Sequence, residues 1–543
     1  MKLVLKYFRE AVKSGPRQFL TSMAMIAALT AVEIMIPWLL RRFVGRIAAE
    51  YSAGILAAGI AFFALLLLLQ VFINIARFAA LDRFGGRYLE SLTLRLEEAM
   101  ANTFYSEIEK AQPGIVRNVL YSDVFNVFRT VGHCLPSMLG ALAVLAASLA
   151  ISFAYSGRIA AFIFAAVAVG LLLSWSSRKI LTKYAGQTNG KMKRHDAWCT
   201  QFVEMLPLVQ THTLLPYYQE KTSENLRDFI ATAVREDKRV YFWTGLVSGY
   251  HTLFTIVLSA LLAIPAAGNS IPNLVFYTTI ASLAMQQTQL LESLFQQTIR
   301  YYPSFAHVQT LRSLPARQGR QAVPPIRTVE FRDVSFAYPN GVQALSHVNA
   351  TLSGGDVAQL QGGNGCGKST LIKLLTGLYR PTQGQILLDG KPLETFSHDA
   401  LKKRILYINQ DEKCLNESFR RYLELVTGKQ PSDQEYRRLL ELVQLRDDGR
   451  EITENGNSLS VGQRKKLFLM KMLLCQQEAS IIILDEVTAC LDAQTTATFR
   501  EWLRETSASE DKIILLVDHT LEAEPPVNTC LRFVNGEATQ SAL

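Results

Sequence analysis

The segment GGNGCGKST, residues 362–370, follows the strand-like DVAQLQ (356–361) and runs into the helix-like LIKLLTGL (371–378). A strand, a G-x-x-x-x-G-K-S loop and a helix together form the setting in which a backbone cradles phosphate. The run Gly362, Gly363, Asn364, Gly365, Cys366 and Gly367 can curl its N–H groups round a β-phosphate, at the positive end of the helix that follows. Lys368 would reach the β- and γ-phosphates, Ser369 would ligate Mg²⁺, and Thr370 continues the cradle. An α/β nucleotide-binding fold is therefore expected around this loop.

Downstream, SIIILDEVTACLD (480–492) is an apolar strand ending in two carboxylates. Four apolar residues before an acid describe a buried strand that delivers charge to the phosphate side of a sheet. Asp485 would hold Mg²⁺ through water, and Glu486 would polarise the attacking water.

The 543 residues exceed one ordinary core, and the composition splits along the chain. From about 18 to 295 long apolar runs recur, such as ILAAGIAFFALLLLLQVFINIA at 55–76, and a run of about 20 such residues crosses a bilayer as a helix. Six spans are expected, at 18–40, 55–76, 133–155, 158–176, 243–265 and 272–295. Two long connections, after the second and fourth spans, are charged and helix-like. Their Lys and Arg, with those of the amino terminus, place these parts in the cytoplasm, although RRFVGR at 41–46 runs against that rule. Residues 1–17 alternate apolar and basic side chains at helical spacing. They suit a helix lying on the membrane surface, with a cleaved signal peptide as the rival. SLPARQGRQAVPPIR, 313–327, is the expected linker, and the soluble domain occupies 328–543.

The net charge of +9 fits basic loops facing anionic lipid. No basic, aromatic-interleaved patch points to nucleic acid. Seven cysteines without paired spacing read as reduced thiols.

The order of motifs in the second half resembles the nucleotide-binding domain of ABC transporters, from about 328 to 536. FAYPNG matches the family's adenine-stacking aromatic at Tyr338, YINQDE its Q-loop glutamine at Gln410, and ITENG the acidic position at Glu454. LSVGQ (459–463) is the signature, ACLD ends in the D-loop Asp492, and LLVDHT supplies the switch histidine, His519. The resemblance implies ATP and Mg²⁺ as cofactors, with Glu486, His519 and Gln410 catalytic and Ser369, Gln410 and Asp485 around the metal. It also implies a second such chain, placed head to tail, whose P-loop holds the ATP that Ser460, Val461, Gly462 and Gln463 would cap. A homodimer stands ahead of a heterodimer. Val461 replaces a glycine, and a β-branched residue fits there only in an α or β region.

With the spans, the whole resembles an exporter-type half-transporter. That is an all-α six-helix transmembrane domain with long cytoplasmic helical extensions, followed by an α/β P-loop NTPase domain. The implied function is ATP-driven export by alternating access, across what is expected to be a bacterial cytoplasmic membrane with the nucleotide domain in the cytoplasm. Coupling helices are expected near 113–125 and 206–218. The stretch between Gln410 and the signature is short, as in compact bacterial exporters, and no peptidase-like cysteine domain precedes the spans. Rivals are a channel or sensor with a weakened ATPase, an exporter-shaped importer, and a non-transporting ABC protein, which the spans oppose. The cargo is left among a small or modified peptide, a drug-like molecule and a lipid. Glu33 in the first span, with Gln286 and Gln289 in the sixth, could bind a cationic or amidated substrate. The same residues could be interhelical glue, or mark a helix leaving the bilayer. His251 and Gln70 are read as packing residues.

Overall fold

A computed structural model of the chain describes residues 2–111, 113–263, 270–409, 412–453, 456–488, 491–508, 511–517 and 527–542. Only the backbone is described at 113–115, 174–175, 177–189, 193, 196–197 and 263. Two units form, one from residues 1–98 and 114–313 and the other from 99–113 and 314–543.

Among the described residues the apolar half is built of helices joined by short connections. In chain order come α1 (Lys2–Ser14), α2 (Pro16–Ala49), α3 (Ala53–Ala101), α4 (Tyr105–Lys110), α5 (Pro113–Asn118), α6 (Val124–Phe128), α7 (Leu135–Tyr155), α8 (Gly157–Glu204), α9 (Leu206–Thr211), α10 (Leu215–Ala263) and α11 (Ile271–Arg312). The six expected spans fall on α2, α3, α7, α8, α10 and α11. Among the described residues, four helical stretches are long and apolar enough to cross a membrane: Pro16–Ala49, Ala53–Ala101, Val116–Tyr155 and Leu215–Leu262. Gly157–Leu173 is a shorter apolar stretch, and α11 is long but carries many Thr and Gln residues. At 1.5 Å per residue, α3 is about 74 Å long, more than twice a hydrocarbon core. Its second half therefore extends beyond the bilayer.

The stripe Val4, Tyr7 and Ala11 of α1 is buried in protein, while Lys2, Leu5, Lys6 and Arg9 remain exposed. Tyr7 packs edge-on against Phe305 of α11, with centroids 5.4 Å apart, and Glu10 pairs with Arg312 at 2.9 Å. The window 113–125, expected as a coupling helix, is held on α11: Asp123, in a π-helical turn, accepts from Ser304 Oγ at 2.7 Å and lies 2.8 Å from His307 Nδ1. The window 206–218 contains the short, largely exposed α9. Of the arginines that strained the charge rule, Arg41 lies over the Tyr155 ring (4.7 Å) and Arg42 over Trp38 (3.7 Å). Such contacts hold a guanidinium on aromatic faces without a carboxylate.

The second unit is built on two sheets. Strands β1 (Thr328–Ala337), β2 (Gln343–Ser353), β4 (Gln383–Leu388) and β5 (Lys391–Pro392) form an antiparallel sheet in the order β2-β1-β4-β5. The other sheet has the order β10-β9-β3-β8-β7-β6, from β3 (Val357–Gln361), β6 (Ile405–Ile408), β7 (Ile481–Asp485), β8 (Ile513–Val517), β9 (Thr529–Val534) and β10 (Glu537–Ala542). All of its pairings are parallel except β10 with β9. The uninterrupted run IIILD is explained by two cores. Ile481 and Ile483 face a core shared with the antiparallel sheet, while Ile482 and Leu484 face one shared with helices. A parallel strand buried on both faces has no polar side to show.

The helices are α12 (Lys368–Leu375), α13 (His398–Arg404), α14 (Phe419–Thr427), α15 (Asp433–Leu442), α16 (Val461–Cys475) and α17 (Ala493–Ser507). Ser418 and Ser432 cap α14 and α15, accepting from the backbone N–H of Arg421 and Glu435.

The segment 99–113 belongs to this unit. Tyr105 N–H donates to Leu378 O (2.9 Å), Arg317 N–H donates to Asn102 O (2.8 Å), and Thr103 bridges to Ala316. The short helix on the nucleotide-binding unit is thus α4, upstream of the 113–125 window. The linker, too, is packed rather than free: Val323 and Ile326 are buried in the core.

Candidate nucleotide site

The P-loop joins β3, central in its sheet, to α12. Gly362 has φ +144°, and a Cβ there would come within 2.7 Å of Cys366 Sγ and of Phe533 O. Gly367 has φ +113°, and its Cβ would meet Leu345 Cδ2 at 2.5 Å. Both positions need glycine for conformation and for space. At Gly363 and Gly365 an added Cβ would meet nothing within 4 Å, so that side of the loop is open.

Lys368 is 8% exposed, and its Nζ donates to Gly362 O at 2.6 Å and Gly363 O at 3.0 Å. A buried ammonium held by carbonyl oxygens beside an open loop of N–H groups suits a polyanion. The Ser369 side chain is exposed, whereas Thr370 is buried, its hydroxyl 3.0 Å from that of Tyr338. That contact ties Tyr338 to the start of α12, with Phe336 and Tyr379 packed edge-on against its ring.

β7 delivers the carboxylates two strands from β3. Asp485 is buried, and its Oδ2 accepts from Tyr407 OH at 3.2 Å. Burial, with the Asp485 charge beside it, pushes the Tyr407 phenol up, keeping it a neutral donor. Glu486 turns out of the strand at φ +50°, and its N–H donates to Val517 O at 2.7 Å. Its carbonyl oxygen accepts from the ammonium of Lys465, a buried side chain on α16. Tyr407 and Lys465 are contacts that the motif reading missed. The polar residues among apolar neighbours in ILYI and KKLFLM are the signal that was present.

The signature forms the start of α16. Ser460 is the N-cap with φ −63° and ψ 157°, its Oγ accepting from Gln463 N–H, while Gln463 Oε1 accepts from Ser460 N–H at 2.9 Å. This capping box fixes the helix end. Val461 is the first helical residue, is not among the positive-φ positions, and leaves its side chain 47% exposed. A valine is accommodated there without backbone strain. Asp492 caps α17 by accepting from Thr495 N–H (2.8 Å) and pairs with Lys466 at 2.5 Å. The Lys466 ammonium, then the Thr495 N–H, hold its carboxyl well below the usual carboxylate range. Gln410, Glu454 and His519 lie outside the described residues.

Residues 19–302 match the family described as ABC transporter transmembrane region, and residues 345–489 match ABC transporter. The chain belongs to the ABC transporter family. Antigen peptide transporter 2 of Rattus norvegicus is 30% identical over 248 residues, covering 44% of this chain and 34% of that protein. The β-(1→2)glucan export ATP-binding/permease protein NdvA of Rhizobium etli is 25% identical over 333 residues, covering 57% of this chain and 56% of that one. The aligned parts therefore span about a third to somewhat over half of these relatives' length. A bacterial Atm1-family ABC exporter with ATP bound has the same fold, with a TM-score of 0.83 at 17% identity over 97% of this chain and 95% of that one.

In this ABC transporter the first span's Glu33 lines a cavity of about 370 Å³ between α2, α3, α7 and α11. Gln286 and Gln289 do not line it and are exposed, while their buried neighbour Gln287 does. One residue turns a helix by 100°, so Gln287 faces this cavity where Gln286 does not. Gln70, expected as a packing residue, lines the same cavity, and His251 is buried.

Proposed function

We propose that this chain is one half of an ATP-driven exporter. The observation that carries the reading is the convergence on one unit of the Lys368 cradle, Asp485 and Glu486, with the capped and exposed signature Ser460–Gln463 at the start of α16. ATP would lie on the P-loop with its γ-phosphate toward Glu486, and the signature of a second chain would close the site. Mg²⁺, when bound, neutralises charge on the phosphate oxygens. The donors fit such an ion. Among the described residues no cluster of three His, Cys, Asp or Glu could hold a metal alone, and Ser369 with Asp485 would leave positions for water and phosphate.

Glu486 acts as base toward the attacking water, and Gln410 and His519 complete the site by resemblance. The partner is a second such chain, with a homodimer favoured. The cargo is a small molecule or peptide, in keeping with the peptide and glucan named for the relatives. The membrane is a bacterial cytoplasmic one, with the nucleotide unit inside. Val461, the main support for a weakened-ATPase sensor, stands at an ordinary helical position and does not favour that reading. Reconstituted chain should hydrolyse ATP and move cargo into inside-out vesicles. Turnover that survives Glu486→Gln would overturn the assignment, and inward transport would make it an importer.

A further inference from the structure

The cavity between α2, α3, α7 and α11 is lined by an acid and a base that do not meet. Glu33 comes from α2 and Arg77 from α3, and no ion pair or hydrogen bond joins them among the described residues. Each feels the other's charge, yet Arg77 Nε is shielded from solvent and has no hydrogen-bond partner. Gln70, Asn74 and Arg77 stand four and three residues apart and share one face of α3, so a polar stripe enters the cavity from that helix. Gln287 adds a buried amide from α11.

Unpaired polar groups among apolar helices are costly, and ionisable ones most of all. Were these residues glue, the acid and base would close on each other. Their separation by open space of small-molecule size points to a ligand that bridges them.

We infer that this cavity binds a small zwitterion, its ammonium group against Glu33 and its carboxylate or phosphate against Arg77, with Gln70, Asn74 and Gln287 serving the polar atoms between. The inference rests on the transporter reading only for its physiological use, as cargo or as regulator. Two sources share this chemistry, a free amino-acid-like or peptidic solute and a zwitterionic lipid headgroup.

The test uses the full chain in phosphatidylglycerol vesicles without nucleotide, titrated calorimetrically with dialanine, N-acetyl-dialanine and dialanine amide. Dialanine should bind, and each blocked form should bind about tenfold more weakly, the loss of one charge-assisted hydrogen bond. Glu33→Gln should remove the preference for the free amine, and Arg77→Gln the preference for the free carboxylate. Glu33→Asp and Arg77→Lys should each restore the respective preference in part. Thermal unfolding of each variant is followed alongside. Should either neutral variant unfold, the charge-retaining variants and the three probes on the unaltered chain still decide the matter. Phosphatidylethanolamine in the vesicles that competes with dialanine identifies the headgroup as occupant; absence of competition identifies the free solute. Equal binding of all three probes, no binding of dialanine with no competition, or preferences untouched by substitution overturns the inference. ATP hydrolysis by the unaltered chain is measured in parallel. Its absence would defeat the transporter reading while leaving the binding result standing.

Discussion

Lys465, on the helix that begins with the signature, donates from Nζ to the backbone carbonyl oxygen of Glu486. The N–H of Glu486 is taken by Val517 O, so both backbone polar atoms of this left-handed residue are fixed by the scaffold. α16 therefore anchors the backbone of the proposed catalytic acid, while its first turn, Ser460–Gln463, is the segment proposed to cap a second chain's nucleotide. Replacing Lys465 with Met removes the donor without leaving a buried charge. Turnover of ATP should fall by about tenfold, as expected for one charge-assisted hydrogen bond, with KM for ATP little changed. Lys465→Arg should recover part of the rate. Equal loss in KM and kcat would point instead to general damage.

Glu486→Gln keeps the size of the side chain but removes the carboxylate proposed as the base. Steady-state hydrolysis should drop by about 10²–10⁴-fold, the usual worth of general base catalysis. ATP binding, read by a fluorescent analogue, should persist.

Val461→Gly addresses the altered signature. Since Val461 is already helical, the exchange relieves no strain. A glycine in the first turn should cost about 0.5–1 kcal/mol of stability, visible in denaturant midpoints. Turnover should stay within about twofold, because the N–H array and its capping box remain. A rise of tenfold would show that the side chain itself obstructs the partner's nucleotide.

Asp492→Ala removes the cap of α17 and the partner of Lys466. A lost cap costs about 1 kcal/mol. Because the folded carboxyl is depressed below its unfolded value, its contribution is complete above about pH 4, where the unfolded group ionises. It is lost only as pH falls below that, toward the folded pKa. The stability gap between variant and parent should therefore be flat from neutral pH to about pH 5 and shrink in stronger acid.

Cys366 lies between the P-loop glycines with its sulfur 3.8 Å from Lys368 Nζ. Alkylation there should block hydrolysis, and ATP should protect it. Cys199 is exposed on α8, in the other unit, and its labelling should ignore ATP. If Cys366→Ser remains as sensitive to alkylation, another thiol is responsible.

The family of the second half was legible because its motifs are local. The loop from Gly362 to Ser369 and the pair Asp485 and Glu486 are each contiguous, and their order along the chain carries the rest. The contacts of Lys465, Tyr407 and Lys466 join residues far apart in sequence, which no motif spacing encodes. The membrane half was read less well. Span positions followed from apolar runs, but which side chains face a cavity depends on helix rotation, which separates buried Gln287 from exposed Gln286 and Gln289. Arg77 fell just past the end of an expected span and went unread, although Gln70 and Asn74 share its face. The short helix α4 was not expected, because only backbone pairing of Asn102 and Thr103 with the linker, which no motif spacing encodes, shows that its segment belongs to the second unit.

That pairing bears on how the parts can be exchanged. Residues 99–113 cross over to the second unit and satisfy its backbone at Leu378, Ala316 and Arg317, so a fragment cut at residue 314 would leave these groups to water and bare the Tyr379 ring that Tyr105 meets. In a chimera between relatives, grafting the nucleotide-binding half as one continuous piece would break these backbone contacts. The graft that keeps them has two pieces, one taken from the midst of the transmembrane sequence.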